Sequence, residues 1–192
     1  NNQHEFKTIV LDSVDWAEQF ILHEVAVAAN KAAYSLIKFG EGTGPAIKKT
    51  MFLLDGFGAL QKRGMGIILL AHARVVRHEN PETAAYDRYE PDLLKVISST
   101  VQEWCDEVLF ASFKVFTKVE DAGFGRERAI AIGGKERFIR TSESATAIAK
   151  NRLRLPDELP MSWAAYAAHL PRRQAENISG VVVDGSSKNG VA

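Results

Sequence analysis

The sequence predicts an α/β fold, and three observations carry that prediction. Residues 6–11 (FKTIVL) and 66–71 (GIILLA) are short, apolar, β-branched runs of the kind that form buried strands. The stretch between them places apolar residues at helical spacing, first Ala17, Phe20, Ile21, Val25 and Ala28, then Ile47, Met51, Leu54 and Leu60. Strand, helices, strand is the pattern of a parallel sheet, whose strands are normally covered on both faces. Both strands also end on a polar residue, Asp12 and His72, where open α/β sheets place their ligands.

The individual elements follow from local chemistry. Asp15 followed by Glu18 reads as a helix N-terminus, the acids satisfying free backbone N–H groups, and the helical stretch is expected to run to about Ile37. Phe39-Gly40-Glu41-Gly42-Thr43-Gly44-Pro45 alternates glycine with other residues and predicts a mobile loop, with Pro45 in the first turn of the next helix. Gly64 is expected to stop that helix. Residues 73–91 are polar, aperiodic and long for a connection, hence a loop of functional length. Leu93, Ile97, Val101 and Trp104 predict a helix opened by Pro91.

Beyond Asp106 the period changes to two. Phe113, Val115, Thr117 and Val119 alternate with Lys114, Phe116, Lys118 and Glu120. Gly123-Phe124-Gly125 predicts a turn, and Gly133-Gly134 a tight hairpin between 126–132 and 135–141, together an antiparallel meander continuing the sheet. A short helix is expected over 161–169. Residues 1–170 read as one domain, and 171–192, rich in Gly, Ser and Asn, as a flexible tail.

Composition narrows the function classes. The chain has 192 residues, and 24 basic residues balance 24 acidic ones, so any nucleic-acid or membrane site must be a local patch. One cysteine, Cys105, excludes an internal disulfide framework and a cysteine-built zinc site, and suits a reducing compartment. No apolar run approaches the roughly 20 residues of a membrane span.

Several short motifs carry candidate chemistry. Thr8-Ile9-Val10-Leu11-Asp12-Ser13 has the form of the Mg²⁺-side motif of P-loop ATPases, an apolar strand ending on a carboxylate that holds the metal bridging the terminal phosphates. Taken alone it equally describes an Asp starting a turn. The P-loop itself, G-x-x-x-x-G-K-[ST], is absent from these residues. In P-loop proteins it precedes the Asp-tipped strand and would lie before Asn1, so either this is the rear part of a longer protein or the chain is not a nucleotide binder. His72, as a neutral imidazole, could donate to a phosphate oxygen or orient water. Arg74, Arg77, Tyr86, Arg88 and Tyr89 supply guanidinium groups for phosphates and rings for unpaired bases, diluted by Glu79, Glu82, Asp87 and Glu90. Lys150 and Arg152 form a compact basic pair suited to a neighbouring subunit's nucleotide.

Asp12-Ser13-Val14-Asp15-Trp16, the 39–44 glycine segment, Leu70-Ala71-His72, Pro81 through Tyr86-Asp87-Arg88-Tyr89, Glu103-Trp104-Cys105-Asp106 and Ala149-Lys150-Asn151-Arg152 occur in that order. Together they resemble the phage-type AAA nucleotide-binding proteins, short RecA-like ATPases related to phage single-strand annealing recombinases, over residues 5–160. The resemblance implies an N-terminally truncated RecA-like P-loop NTPase core, a parallel sheet flanked by helices, with an antiparallel C-terminal extension. It implies ATP and Mg²⁺ as cofactors, with Asp12 as the metal-side carboxylate, Ser13 beside it and His72 as the sensor of the terminal phosphate. It further implies that 38–46 and 73–91 face single-stranded DNA, that Lys150 and Arg152 reach ATP across a head-to-tail ring or filament of identical subunits, and that the protein works in DNA recombination in the cytoplasm of a bacterial host. A non-catalytic DNA-binding or assembly module is the alternative, and a metal-dependent hydrolase using Asp12 and His72 a third reading.

Overall fold

The computed structural model describes residues 5–121 and 127–170. The expected turn at Gly123-Phe124-Gly125 and the expected tail lie outside them. The chain mixes helices and strands around a small parallel sheet, an α/β arrangement. β1 (Thr8–Asp12) pairs in parallel with β2 (Gly66–Leu70), Asp12 opposite Leu70. Two helices connect them, α1 (Val14–Ala28) and α2 (Thr43–Lys62).

The helical stretch is shorter than expected. α1 ends at Ala28, Asn30 takes a left-handed conformation (φ 54°), and Tyr34–Leu36 forms only a 3-10 turn. The glycine segment is also not loop throughout. Gly40 turns the chain with φ 85°, but Gly42 already caps α2 and Gly44 lies inside its first turn, as does Pro45. At the far end Gly64 (φ 88°) donates its N–H to the Gln61 carbonyl, the stop expected of it.

Val14, Leu22 and Val25 of α1 meet Ala46 and Leu54 of α2, and Ile97 and Val101 of α3 (Lys95–Trp104), with Leu93 just before it, complete the core, with Leu11 and Leu69 of the sheet packed against it. Only this sheet face is covered by described residues. Val10, Ile68 and Leu70, on the other, are 53%, 40% and 43% exposed, so the expectation of helices on both faces is not met here. Alternation along each strand sorts the residues into these two sets. No helix among the described residues is long and apolar enough to cross a membrane.

Residues 73–91 are not a loop but an antiparallel hairpin, β3 (Ala73–His78) and β4 (Tyr86–Pro91), in register from Ala73↔Pro91 to His78↔Tyr86. Val75, Val76, Tyr86 and Tyr89 supply β-forming residues that the surrounding charges hide in the sequence. Asn80 begins the tip by accepting the Glu82 N–H on its side-chain oxygen. Pro91 therefore ends a strand rather than opening a helix; α3 is capped by Leu94.

The C-terminal strands form sheets of their own instead of continuing β1–β2. β6 (Phe110–Asp121) pairs with β7 (Glu127–Arg140), and β7 with β9 (Glu158–Pro160), all antiparallel. Gly133-Gly134 is no hairpin turn. It lies within β7, where the register slips between Phe113 (opposite Arg137) and Val115 (opposite Gly133), and glycine tolerates such a bulge. A two-residue pair, β5 (Glu107–Val108) with β8 (Lys150–Asn151), sits between these sheets in the chain. α4 (Trp163–Ala167) is capped by the Ser162 hydroxyl, which accepts the Ala165 N–H.

Helix α1 also carries a buried charge. Glu18 is 4% exposed, lies on the stripe with Val14, Leu22 and Val25, and accepts the Leu94 N–H at 2.8 Å, capping a neighbouring helix rather than its own. Burial pushes its carboxyl up, and that N–H offsets part of the effect. Glu18→Ala strands the buried N–H and should lower stability by about 1–3 kcal/mol in urea denaturation. Glu18→Gln keeps an acceptor of the same shape and should cost clearly less. Equal losses in both would show that the carbonyl-type acceptor is not what matters.

Candidate functional site

The carboxyl ends of β1 and β2 bring Asp12, Ser13 and His72 to one edge, because parallel strands end side by side. Asp12 is exposed and its carboxylate makes no hydrogen bond or ion pair with another described residue, while Ser13 is 3% exposed and its hydroxyl lacks a well-formed partner. The Asp12–Ser13 peptide is cis. Asp15, in the first turn of α1, completes the edge. One of its carboxylate oxygens accepts the His72 backbone N–H at 3.2 Å, and the other meets the His72 ring Nδ1 at 2.9 Å.

This clasp defines the chemistry. Burial works to raise the Asp15 carboxyl, but the nearby Ser13 hydroxyl, the His72 ring and the His72 N–H together hold it at about 2. An ionised carboxylate only accepts, so Nδ1 of His72 must be the donor. The ring is correspondingly raised above its ordinary value, first by this hydrogen bond and then by the charges of Asp15, Asp12 and Asp92. Asp15 was missed as a site residue because acid in a first helical turn already has a sufficient local explanation.

The edge adjoins a cleft of about 370 Å³ lined by Asp15, Trp16, Glu18, Arg74 and Asp92 among others. Arg74 donates to Asp92 at 3.3 Å and to the Leu93 carbonyl at 2.9 Å, while the Asp92 N–H donates to the His72 carbonyl. The two roots of the β3–β4 hairpin are thereby tied together directly beneath His72.

The remaining sequence-predicted residues are dispersed. Arg77 pairs across the hairpin with Asp87 at 3.5 Å, and Tyr86 lies against the His78 ring. Arg88 is buried and paired with Glu143, and Tyr89 stacks on Phe110. Lys150 donates to the carbonyls of Gln102, Glu103 and Cys105 at 2.8, 3.0 and 2.6 Å, satisfying the last turn of α3. Arg152 pairs with Asp106 on the surface at 3.2 Å. Neither basic residue contacts Asp12 or His72 within the described chain.

The chain matches the AAA domain family over residues 1–153, and so belongs to that family, a class of nucleotide-binding ATPases. Comparisons with curated proteins and with solved structures give no match.

The residues at this edge fit the nucleotide and cation that such a family implies. Among the described residues no group of three or more His, Cys, Asp or Glu could cage a metal. Mg²⁺ does not need one, since it is commonly held by one or two carboxylates together with phosphates and water. Asp12 offers a carboxylate with no side-chain partner among the described residues, Ser13 a buried hydroxyl beside Asp15, and His72 a ring oriented by Asp15.

Asp15 titrates near 2 instead of 3.8, so its contribution is complete above 3.8 and lost as pH falls toward 2. His72 is raised above 6.5, so its contribution is complete below 6.5 and lost as pH climbs through the folded value. The stability gap between wild type and His72→Ala, measured by urea melts, should therefore be widest between pH 3.8 and 6.5; a gap independent of pH would rule out the ion pair. Lys150→Ala should cost about 1–2 kcal/mol through the stranded α3 carbonyls, whereas Arg152→Ala, which breaks an exposed pair, should cost less than about 1 kcal/mol. A reversed order would contradict the capping role.

Proposed function

We propose that this chain is part of a RecA-like ATPase that binds ATP with Mg²⁺ at the carboxyl edge of β1–β2 and acts on single-stranded DNA in phage recombination. The observation that carries the reading is the Asp12 carboxylate, unpaired among the described residues, beside a His72 ring oriented by Asp15, in a chain of the AAA domain family. Bound Mg²⁺ would supply charge neutralisation across the terminal phosphates. Asp12 would hold it, Ser13 would donate its hydroxyl nearby, and His72 would face the terminal phosphate. The P-loop would come from residues upstream in the full-length protein.

Two features favour coupling to DNA through the hairpin. It begins at the residue after His72, and its roots are fixed by Asp15 and by the Asp92–His72 hydrogen bond, so a displacement of His72 would move the whole β3–β4 unit. Arg77 and Tyr86, toward its tip, are the side chains best placed to meet a strand, while Arg74 holds the root and Arg88 anchors the hairpin to Glu143. Of the basic pair, Arg152 is the better candidate to act on a neighbouring subunit's nucleotide in a head-to-tail assembly, because Lys150 is committed to α3. This work would take place in the cytoplasm of the bacterial host.

In the full-length protein, Asp12→Ala should abolish Mg²⁺-dependent ATP hydrolysis while circular dichroism stays native; wild-type turnover would remove Asp12 from the site. Arg77→Ala should weaken single-strand binding and reduce the slope of log affinity against log salt by ~0.7, the loss of one phosphate contact. An unchanged slope would take Arg77 out of the interface.

A further inference from the structure

We propose that Asp15 is a positioning residue that makes the phosphate response of His72 conditional on protonation, so that this edge grips anionic phosphate only while the ring is an imidazolium. The inference rests on the nucleotide reading above and adds to it a residue and a form of regulation.

Asp15 takes both the backbone N–H of His72 and its ring Nδ1–H. A neutral imidazole has a single ring N–H. With that hydrogen committed to Asp15, Nε2 of neutral His72 carries only a lone pair, which repels a phosphate oxygen and can accept from water or a hydroxyl. The expectation that a neutral His72 donates to phosphate therefore fails on geometry. Protonation adds a hydrogen at Nε2 and reverses the polarity of that atom without moving the ring, because the Nδ1 and backbone bonds stay in place. The His72 side chain is 70% exposed and Asp15 only 16%, so the clasp is sheltered while the ring remains accessible.

The charged groups acting on His72 come from three elements. Asp15 stands on α1, Asp12 ends β1, and Asp92 lies at the hairpin root, where Arg74 pairs with it. Asp15 and Asp92 favour the imidazolium, as does Asp12 while it holds no cation. Histidine is the side chain whose ordinary titration lies nearest neutral pH. A carboxylate that both orients a histidine and sets its tautomer is a recurrent second partner in catalytic and metal sites. Here the same device would set which phosphate state is felt, since the switch lies at the root of the hairpin.

The test combines ring NMR with a phosphate probe on the full-length protein, P-loop included. Long-range ¹H–¹⁵N spectra should show neutral His72 as the Nδ1–H tautomer, titrating above 6.5. Asp15→Asn should bring the titration down toward the ordinary value and mix the tautomers. Inorganic tripolyphosphate with Mg²⁺, followed by the His72 resonances and by calorimetry, should bind tenfold more weakly for each pH unit above the His72 titration, with the onset shifted down in Asp15→Asn. His72→Gln, whose amide donates at any pH, should bind with no such fall, which separates the ring from the probe's own titration. Should Asp15→Asn not fold, the wild-type tautomer and the His72→Gln profile decide the matter alone. A neutral His72 found as the Nε2–H tautomer, or wild-type affinity running parallel to that of His72→Gln, overturns the proposal and leaves the nucleotide reading standing. Absence of any His72 response to tripolyphosphate, with the Nδ1–H tautomer intact, overturns both.

Discussion

One turn of helix α1 fixes the carboxyl edge of β1–β2 and the hairpin beside it. Asp15 and Glu18 stand three residues apart, and each spends its carboxylate on a backbone N–H far away in sequence. Asp15 takes that of His72 and Glu18 that of Leu94. These two positions bracket the β3–β4 hairpin, and the Asp92-to-His72 hydrogen bond closes the gap between them. The end of β2, both roots of the hairpin and the start of α3 are therefore referenced to a single helical turn. Buried or half-buried carboxylates are costly unless satisfied, so the arrangement resists sliding of any one of these elements against the others.

The same constraint explains how a phosphate group could be felt at a distance. A flexible connection after His72 would dissipate a small displacement of that residue. A paired hairpin with tied roots moves as a unit, and Arg88 and Tyr89 carry its second strand onto residues 143–148 through Glu143 and through backbone bonds to Thr146 and Ile148. Beyond that point Lys150 braces the end of α3. The carboxyl edge of β1–β2, the hairpin and the segment that carries Arg152 thus form one connected structure.

Much of this was legible in the residues, and the failures have physical causes. The apolar runs at β1 and β2, the Pro45 helix start, the Gly64 stop and the terminal polar residues Asp12 and His72 are local signals that tertiary context left intact. The hairpin was hidden because its strands are rich in charged residues that pair across the ladder, Arg77 with Asp87 for example. Such pairs are invisible until register is known. Gly133-Gly134 fits a turn and a bulge equally well by composition, and only the pairing with β6 decides between them. Asp15 and Glu18 have a sufficient explanation as helix-starting acids, and nothing local says that they serve His72 and Leu94 instead. One signal did exist: Glu18 falls on the apolar stripe of α1, where a charge requires a partner from elsewhere. Lys150 and Arg152 look alike in sequence, yet one caps a helix and the other lies on the surface.

The central claim is that the terminal phosphates and their cation sit at the carboxyl edge of β1–β2. Substituting Mn²⁺ for Mg²⁺ with ATP in the full-length protein tests it most directly, by paramagnetic broadening of assigned amide resonances. The account predicts nucleotide-dependent broadening centred on Asp12, Ser13 and residues 70–73, weaker at Trp104 and Cys105. Broadening centred elsewhere, or the same pattern with Mn²⁺ in the absence of nucleotide, would contradict it.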